Sequence, residues 1–105
     1  MSEHVVALST VASAEQAEVL ARALVEERLA ACVNVVPGVR SFYRWRGELA
    51  VDGEVLCVIK TRRDRVEALR ARLVALHPYE LPELVVLDVV AGHEPYLAWL
   101  DESVE

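Results

Sequence analysis

The chain has 105 residues, enough for one domain with a buried core, so residues 1–105 are predicted to form a single domain. Its formal net charge of −6 argues against nucleic acid as the main partner, and no apolar run approaches the roughly 20 residues that a membrane-spanning helix needs. Hydrophobic residues make up 54% of the chain, which fits extra burial between subunits of an oligomer. The first residues lack a secretory signal, so we expect a soluble cytoplasmic protein.

The first predicted elements are a strand and a helix. Residues 3–10 contain the consecutive apolar side chains of a strand that is covered on both faces. Ser13 then begins a helix that ends near residues 29–31, and Gln16 completes a capping box with it. Beyond this helix the periodicity changes from helical to alternating, which places the start of a long hairpin at Cys32.

The segment Cys32–Lys60 is predicted to form this hairpin, and its first strand has two different faces. One face of residues 39–46 is mostly aliphatic and aromatic and the other is mostly basic. The first face carries Val39, Ser41, Tyr43 and Trp45, and the second carries Arg40, Phe42, Arg44 and Arg46.

The turn of the hairpin has two candidates. Asp52-Gly53 is the stronger local turn signal, but Arg46-Gly47 leaves two strands of better-matched length. We therefore favour a turn at Arg46-Gly47 and expect Asp52-Gly53 in a bulge or kink of the return strand. Pro37-Gly38 predicts an interruption of the first strand, because proline donates no ladder hydrogen bond.

The length of this hairpin predicts an oligomer. A single strand over Cys32–Arg46 at ~3.3 Å per residue reaches roughly 50 Å, whereas a domain of this size has a radius of gyration of about 13 Å. The strand pair must then extend beyond its own domain and expose Phe42, Tyr43 and Trp45. Such an edge is prone to aggregate unless another chain covers it.

The second half of the chain is predicted to hold a helix, a strand and a final short helix. Asp64 is the predicted N-cap of the second helix, and His77-Pro78 ends it because the residue before proline avoids the helical conformation. Residues 84–90 form an apolar strand, and a short helix with Pro95 in its first turn follows. The order of elements predicts an α+β fold, a ferredoxin-like split βαβ sandwich with a long β-hairpin and an extra C-terminal helix.

Five motifs resemble one known family, the CutA divalent-cation tolerance proteins. They cover nearly the whole chain in the same order as in the family. The motifs are LAACVN at Leu29–Asn34, PGVRSFYRWRG at Pro37–Gly47, VIKT at Val58–Thr61, HPYELPEL at His77–Leu84 and YLAWL at Tyr96–Leu100. The resemblance implies a ferredoxin-like subunit in an interlocked homotrimer built like the PII signalling proteins, with long hairpins paired to neighbouring chains. It also implies an association with copper and other divalent cations.

His77 and Cys32 are the candidate metal ligands. The resemblance places reported copper ligands at the positions of Ser9, Leu76 and His77, but Ser9 has no thiolate and Leu76 has no nitrogen. His77 therefore stands either as a ligand for Cu²⁺ or as a structural residue at the helix end. Cys32 matches a cysteine common in the family and is either a buried thiol or a copper ligand. Cys57 lies in an apolar run and is expected in the core.

A second candidate site is a cleft between subunits. We expect its lining to comprise Tyr43, Trp45, Lys60, Tyr79 and Glu83, since apolar walls with a few polar groups suit a small ligand. Lys60 ends an apolar strand and must contact an anion, a carboxylate or water; its partner is either Glu83 or an anionic metabolite. Nine of the eleven Lys and Arg residues lie in residues 40–72, which fits either an anion pocket or charge complementarity between subunits.

The sequence contains no catalytic motif of the common kinds. It has no P-loop, no G-x-S-x-G, no H-E-x-x-H and no Cys-x-x-Cys, so we do not expect an enzyme. The leading hypothesis is a cytoplasmic homotrimer in divalent-metal (copper) tolerance that binds metal ions weakly. The alternatives are a PII-like sensor of a small anionic ligand bound between subunits, and a purely structural trimer.

Overall fold

Four strands and three helices make up residues 3–105, the part of the chain that the structure, a computed structural model, describes. The strands are β1 (His4–Val11), β2 (Cys32–Trp45), β3 (Glu48–Arg62) and β4 (Val85–Asp88). The helices are α1 (Ala14–Glu26), α2 (Val66–Leu76) and α3 (Glu94–Ser103), with a 3₁₀ turn at Arg63–Arg65. None of these helices is long and apolar enough to cross a membrane.

The strands form one antiparallel sheet in the order β2-β3-β1-β4. Because β3 lies between β2 and β1, the connection through α1 spans an intervening strand, which is the split βαβ arrangement. The predicted ferredoxin-like α+β fold is therefore confirmed, including the additional C-terminal helix.

The hydrophobic core lies between one face of the sheet and helices α1 and α2. Burial alternates strictly along β1, so every second side chain points into this core. Leu20 and Leu24 from α1 pack there with Leu69 and Leu73 from α2. The buried residues of the two central strands in this cluster are Ala7, Val11, Val55, Cys57 and Ile59.

The start of α1 and the end of α2 are predicted correctly, but α1 ends at Glu26 with Glu27 as its C-cap and not near residues 29–31. The Ser13 hydroxyl accepts a hydrogen bond from the Gln16 backbone N–H at 3.2 Å, and α2 ends at Leu76 with His77 as its C-cap. Asp64 as the N-cap of α2 is wrong: Arg65 occupies that position without a side-chain cap. The chain leaves β3 through a 3₁₀ turn, where the Asp64 carboxylate instead accepts a hydrogen bond from Arg62 at 3.1 Å.

The hairpin turn lies at Arg46-Gly47, as favoured from the sequence. Trp45 pairs with Glu48, and the two turn residues have φ angles of 50° and 82°, the left-handed pair of a type I′ turn. Pro37-Gly38 lies in the bulge where the register shifts between Val36 and Val39. The expected bulge at Asp52-Gly53 is wrong, because both residues keep regular pairing with β2.

The outer part of this hairpin extends past the rest of the sheet. Strand β3 pairs with β1 only from Val55 onward, so residues 39–54, here called the hairpin arm, pair only with one another. The molecule accordingly measures 44 Å along one axis and 25 and 24 Å along the others. Phe42 and Leu49 on the arm are 63% and 76% exposed.

The face of the sheet opposite α1 and α2 is only partly covered. Val6, Leu8, Leu56 and Val58 lie half-buried on this open face. Helix α3 packs at one end of it, where Asp101 pairs with His4 at 2.9 Å. The Lys60 ammonium lies 6.0 Å from the centroid of the Tyr96 ring at the same end.

Ser9 is a buried polar residue inside the core, and it predicts a stabilising substitution. Its side chain is fully buried, and its hydroxyl has no hydrogen-bond partner among residues 3–105. We expect Ser9→Ala to raise the free energy of unfolding by about 1 kcal/mol, because it removes the desolvation cost of an unpaired hydroxyl. Urea denaturation at fixed protein concentration measures this change.

Thr61 provides the matched control. It is also fully buried, but its hydroxyl donates to the Leu29 carbonyl at 2.7 Å. Thr61→Val should lower the free energy of unfolding by about 1–3 kcal/mol, because the carbonyl then loses its donor. If Ser9→Ala were as destabilising as Thr61→Val, the Ser9 hydroxyl would have a partner in solution.

Candidate functional site

A cleft of about 810 Å³ lies between the hairpin arm and the loop that follows α2. Its position follows from the overhang, since the arm continues beyond the end of β1 and leaves space beside it. We call this space the arm cleft. The lining residues are Thr10, Ala12, Ser41, Phe42, Tyr43, Arg44, Trp45, Asp52, Gly53, Glu54, Tyr79, Glu80, Leu81 and Glu83.

Four of the five residues predicted to line a cleft meet here: Tyr43, Trp45, Tyr79 and Glu83. Lys60 does not line the arm cleft of its own chain. The expected cleft lies between subunits, so the place of Lys60 in it stays a prediction. Within its own chain, Lys60 lies six residues beyond Glu54 along β3, or about 20 Å at ~3.3 Å per residue.

The predicted pairing of Lys60 with Glu83 is also absent in the described part of the chain. The Glu83 carboxylate accepts a hydrogen bond from the Thr10 hydroxyl at 3.3 Å instead. Lys60 contacts the Tyr96 ring at the opposite end of the sheet. Its charge therefore does not reach the arm cleft of its own chain.

Hydroxyl groups hold the carboxylates of the arm cleft in place. The Tyr79 hydroxyl donates to Glu54 at 2.7 Å, and the Tyr43 hydroxyl donates to Asp52. No Lys, Arg or His side chain within residues 3–105 forms an ion pair with Asp52, Glu54 or Glu83. Neutral donors thus fix these carboxylates without cancelling their negative charge.

The two tyrosines respond to this negative charge. Burial, the hydrogen bond to Glu54 and the charge of that carboxylate together raise the pKa of Tyr79 far above its ordinary value. The hydrogen bond to Asp52 is the main cause that raises the pKa of Tyr43. Both phenols therefore stay protonated and remain hydrogen-bond donors across the physiological pH range.

Arg44 is the one basic residue that lines the arm cleft, against four acidic ones, and the neighbouring arginines add little further positive charge. The Arg46 guanidinium pairs with Glu80 at 3.0 Å and so connects the arm to the loop after α2. Arg40 lies over the Phe42 ring, with its guanidinium carbon 5.3 Å from the ring centroid. The arm cleft therefore combines aromatic walls with a net negative lining and favours positively charged ligands.

His77 is buried and both of its ring nitrogens are occupied. Its side chain is 8% exposed, Nε2 donates to the Thr10 carbonyl at 2.8 Å, and Nδ1 accepts from the Tyr79 backbone N–H at 3.2 Å. The imidazole also packs edge-on against the Tyr79 ring at 4.7 Å between centroids. A metal ion could bind this imidazole only after one of the two hydrogen bonds was broken.

Cys32 lies far from His77. It is half-buried at the start of β2, with Sγ 3.8 Å from the Asn34 side-chain oxygen. Across the sheet, Cys32 on β2 pairs with Lys60 on β3, and Lys60 pairs with Val6 on β1. His77 instead contacts Thr10 of β1. Val6 and Thr10 are four residues apart on β1, or about 13 Å, so the two candidate ligands cannot bind one ion within a chain.

The metal-ligand chemistry of the remaining residues is limited. No group of three or more His, Cys, Asp or Glu residues within residues 3–105 is arranged to hold a metal ion. Cys57 is fully buried, as expected, and burial raises the pKa of its thiol. Residues 3–105 of a single chain therefore do not fit a chelating metal site.

The sequence interpretation missed the acidic residues of the arm cleft. Asp52 and Glu54 lie on the same face as Tyr43 and Trp45, because Ser41 pairs with Asp52 across the hairpin. Pairing the two strands outward from the Arg46-Gly47 turn would have placed both acidic residues on that face, because every second pair of a hairpin shares one face. Thr10 had no comparable signal, because its position depends on how β1 packs beside the loop after α2.

Comparison with known proteins gives a consistent result. A family model described as "CutA1 divalent ion tolerance protein" matches residues 5–103. The divalent-cation tolerance protein CutA of Thermus thermophilus is 52% identical over 98 residues, which is 93% of this chain and 95% of that protein. The chloroplastic protein CutA of Arabidopsis thaliana is 42% identical over 99 residues. The aligned residues make up 94% of this chain and about half (54%) of that relative.

Solved structures of similar proteins have the same fold. The divalent cation tolerance protein of Thermus thermophilus superposes with a TM-score of 0.95 at 50% identity, covering 97% of this chain and 99% of that one. CutA of Xylella fastidiosa superposes with a TM-score of 0.96 at 41% identity, covering 99% and 100%. With the family model matched over residues 5–103 and identities above 40% across nearly the whole chain, this protein belongs to the CutA1 divalent ion tolerance family.

Proposed function

We propose that this protein acts in divalent-cation tolerance as a cytoplasmic homotrimer in which each hairpin arm packs against a neighbouring subunit. The names of its relatives support the tolerance function. The proposed oligomer is supported by the hairpin arm, because residues 39–54 pair with no third strand of their own chain. The role is one of binding and not of catalysis.

Two apolar surfaces support the association of subunits. The arm exposes Phe42, Leu49 and Val51 on one of its faces. The open face of the sheet adds Val85 and Leu87, which are about half exposed on the edge strand β4. Burial of large apolar side chains in a subunit interface contributes roughly 1.5–3 kcal/mol each, so covering both surfaces favours a stable complex.

We expect sedimentation velocity to show a species with three times the 11.7 kDa mass of the chain at micromolar concentration. The double substitution Phe42→Glu and Leu49→Glu should weaken this association by at least about tenfold, because it places two charges in the apolar interface. The control is Val19→Glu, which alters an equally exposed apolar residue on α1. A folded monomer of the wild-type chain would contradict the proposal.

The donor atoms of one chain support only weak metal binding. Cys32 offers a half-buried thiol, and soft thiolate ligands favour Cu⁺ and Zn²⁺. His77 offers no free nitrogen, since both of its ring nitrogens are hydrogen-bonded. We therefore propose that any copper or zinc contact within a chain is made by Cys32 alone, and that His77 positions Tyr79.

Calorimetric titration with Zn²⁺ under reducing conditions separates these two residues. We expect Cys32→Ser to abolish the weak binding heat and His77→Ala to leave it unchanged. His77→Ala should instead lower the free energy of unfolding by about 1–3 kcal/mol, because the Thr10 carbonyl and the Tyr79 N–H lose their partner. Loss of the binding heat in His77→Ala, with Cys32→Ser unaffected, would overturn this assignment.

The alternative function, a sensor of a small anionic ligand, finds no support in the cleft of a single chain. Lys60 lies outside the arm cleft, Arg46 is paired with Glu80, and Arg44 is the one basic residue that lines it. Asp52, Glu54 and Glu83 remain without a cationic partner among the described residues. An anion would meet repulsion from these three carboxylates.

A further inference from the structure

We propose that the arm cleft is the docking site for the hairpin arm of a second copy of this chain, which enters it with its basic side. This inference rests on the homotrimer proposed above and deepens it, because it names the two surfaces that meet and the direction in which the subunits follow one another. It follows from the charges on the two faces of the arm, from their apolar residues and from the orientation of those faces.

The two faces of the hairpin arm carry opposite charge. Asp52 and Glu54 lie on the face that borders the arm cleft, and Arg40 and Arg44 lie on the opposite face, since side chains alternate along each strand. We call these surfaces the acidic face and the basic face. The aromatic and large aliphatic side chains beside these charges are Tyr43 and Trp45 on the acidic face, and Phe42, Leu49 and Val51 on the basic face.

The arginines of the basic face have no acidic partner in their own chain. No ion pair within residues 3–105 includes Arg40 or Arg44, and the Arg40 guanidinium lies over the Phe42 ring instead. Arg44 also borders the arm cleft of its own chain, where four acidic residues outnumber it. The cleft therefore keeps a net negative charge with Arg44 in place, and the basic face of another arm complements that charge.

Apolar residues accompany the charges on both surfaces. Phe42, Leu49 and Val51 are exposed among the arginines of the basic face. The rings of Trp45 and Tyr79 line the arm cleft, whose volume of about 810 Å³ leaves room for side chains of a second arm. Arginine packs its aliphatic stem and its guanidinium plane on aromatic rings, so the basic face and the cleft match in apolar surface as well as in charge.

The orientation of the two faces determines how the subunits are arranged. A neighbour that packs on the basic face cannot also cover the acidic face, because the arm itself lies between them. A two-fold contact between two basic faces would bring like charges together. Each arm therefore contacts one neighbour through its basic face and another through its acidic face, and such head-to-tail contacts can close into a ring.

Subunit exchange tests this docking in the assembled protein. Unlabelled and nitrogen-15-labelled copies of the same full-length variant are mixed, and native mass spectrometry follows the appearance of mixed trimers. We expect Arg40→Glu and Asp52→Arg each to raise the exchange rate by about tenfold, because each brings like charges together where two subunits meet. Arg40 is a suitable probe because it does not line the cleft of its own chain.

Exchanging the charges within one chain separates docking from a general loss of stability. Arg40→Glu combined with Asp52→Arg, or with Glu54→Arg, restores opposite charges between neighbouring copies. At least one of these double variants should return to within about threefold of the wild-type exchange rate, because directly paired residues have non-additive effects. The matched control is Arg22→Glu, which makes the same charge change at an exposed position on α1 and should exchange at the wild-type rate.

Several results would overturn the docking. Wild-type exchange in both single variants would place the basic face against another surface of the neighbour, and so would additive effects in both double variants. An equal effect of Arg22→Glu would reduce the result to net charge. Sedimentation velocity of the wild type distinguishes the two proposals: if it shows a trimer, these results remove the docking alone, whereas a wild-type monomer removes the homotrimer and the docking together.

Discussion

The interaction on which this structure depends is the pairing of β2 with β3 beyond the end of β1. These strands have 14 and 15 residues, whereas β1 has 8, so the sheet narrows to two strands at the hairpin arm. An isolated two-stranded hairpin is marginally stable in water. The arm is therefore the part of the sheet that its own chain supports least, and the space beside it forms the arm cleft.

The loop after α2 completes that cleft because several polar contacts fix its position. His77 donates to the Thr10 carbonyl and accepts from the Tyr79 N–H, which aims Tyr79 at Glu54 on the arm. Arg46 at the hairpin turn then pairs with Glu80. The histidine that the sequence nominated as a metal ligand thus has a positioning role within the chain, and the loop and the arm are coupled through hydrogen bonds at both ends of the cleft.

The site was predictable in part. Tyr43, Trp45, Tyr79 and Glu83 were expected together and lie together, because aromatic residues on one strand face and a polar loop after a helix are visible in the pattern. Within one chain Lys60 lies far from this group, because its distance from the loop depends on which strands are neighbours and where they end. The acidic lining was missed for a similar reason: basic residues dominate the segment in number, but of these only Arg44 lines the cleft, beside Asp52, Glu54, Glu80 and Glu83.

The sequence by itself determined the order of the elements, the ferredoxin-like topology, the Arg46-Gly47 turn and the overhang of the hairpin. These features follow from local periodicity and strand length, which the chain encodes at short range. Only the tertiary structure decided that Asp64 does not cap α2, that His77 is fully hydrogen-bonded and that His77 and Cys32 lie at opposite ends of the sheet. Each of these depends on contacts between residues far apart in the sequence, whose distances are set by strand order and packing and not by spacing along the chain.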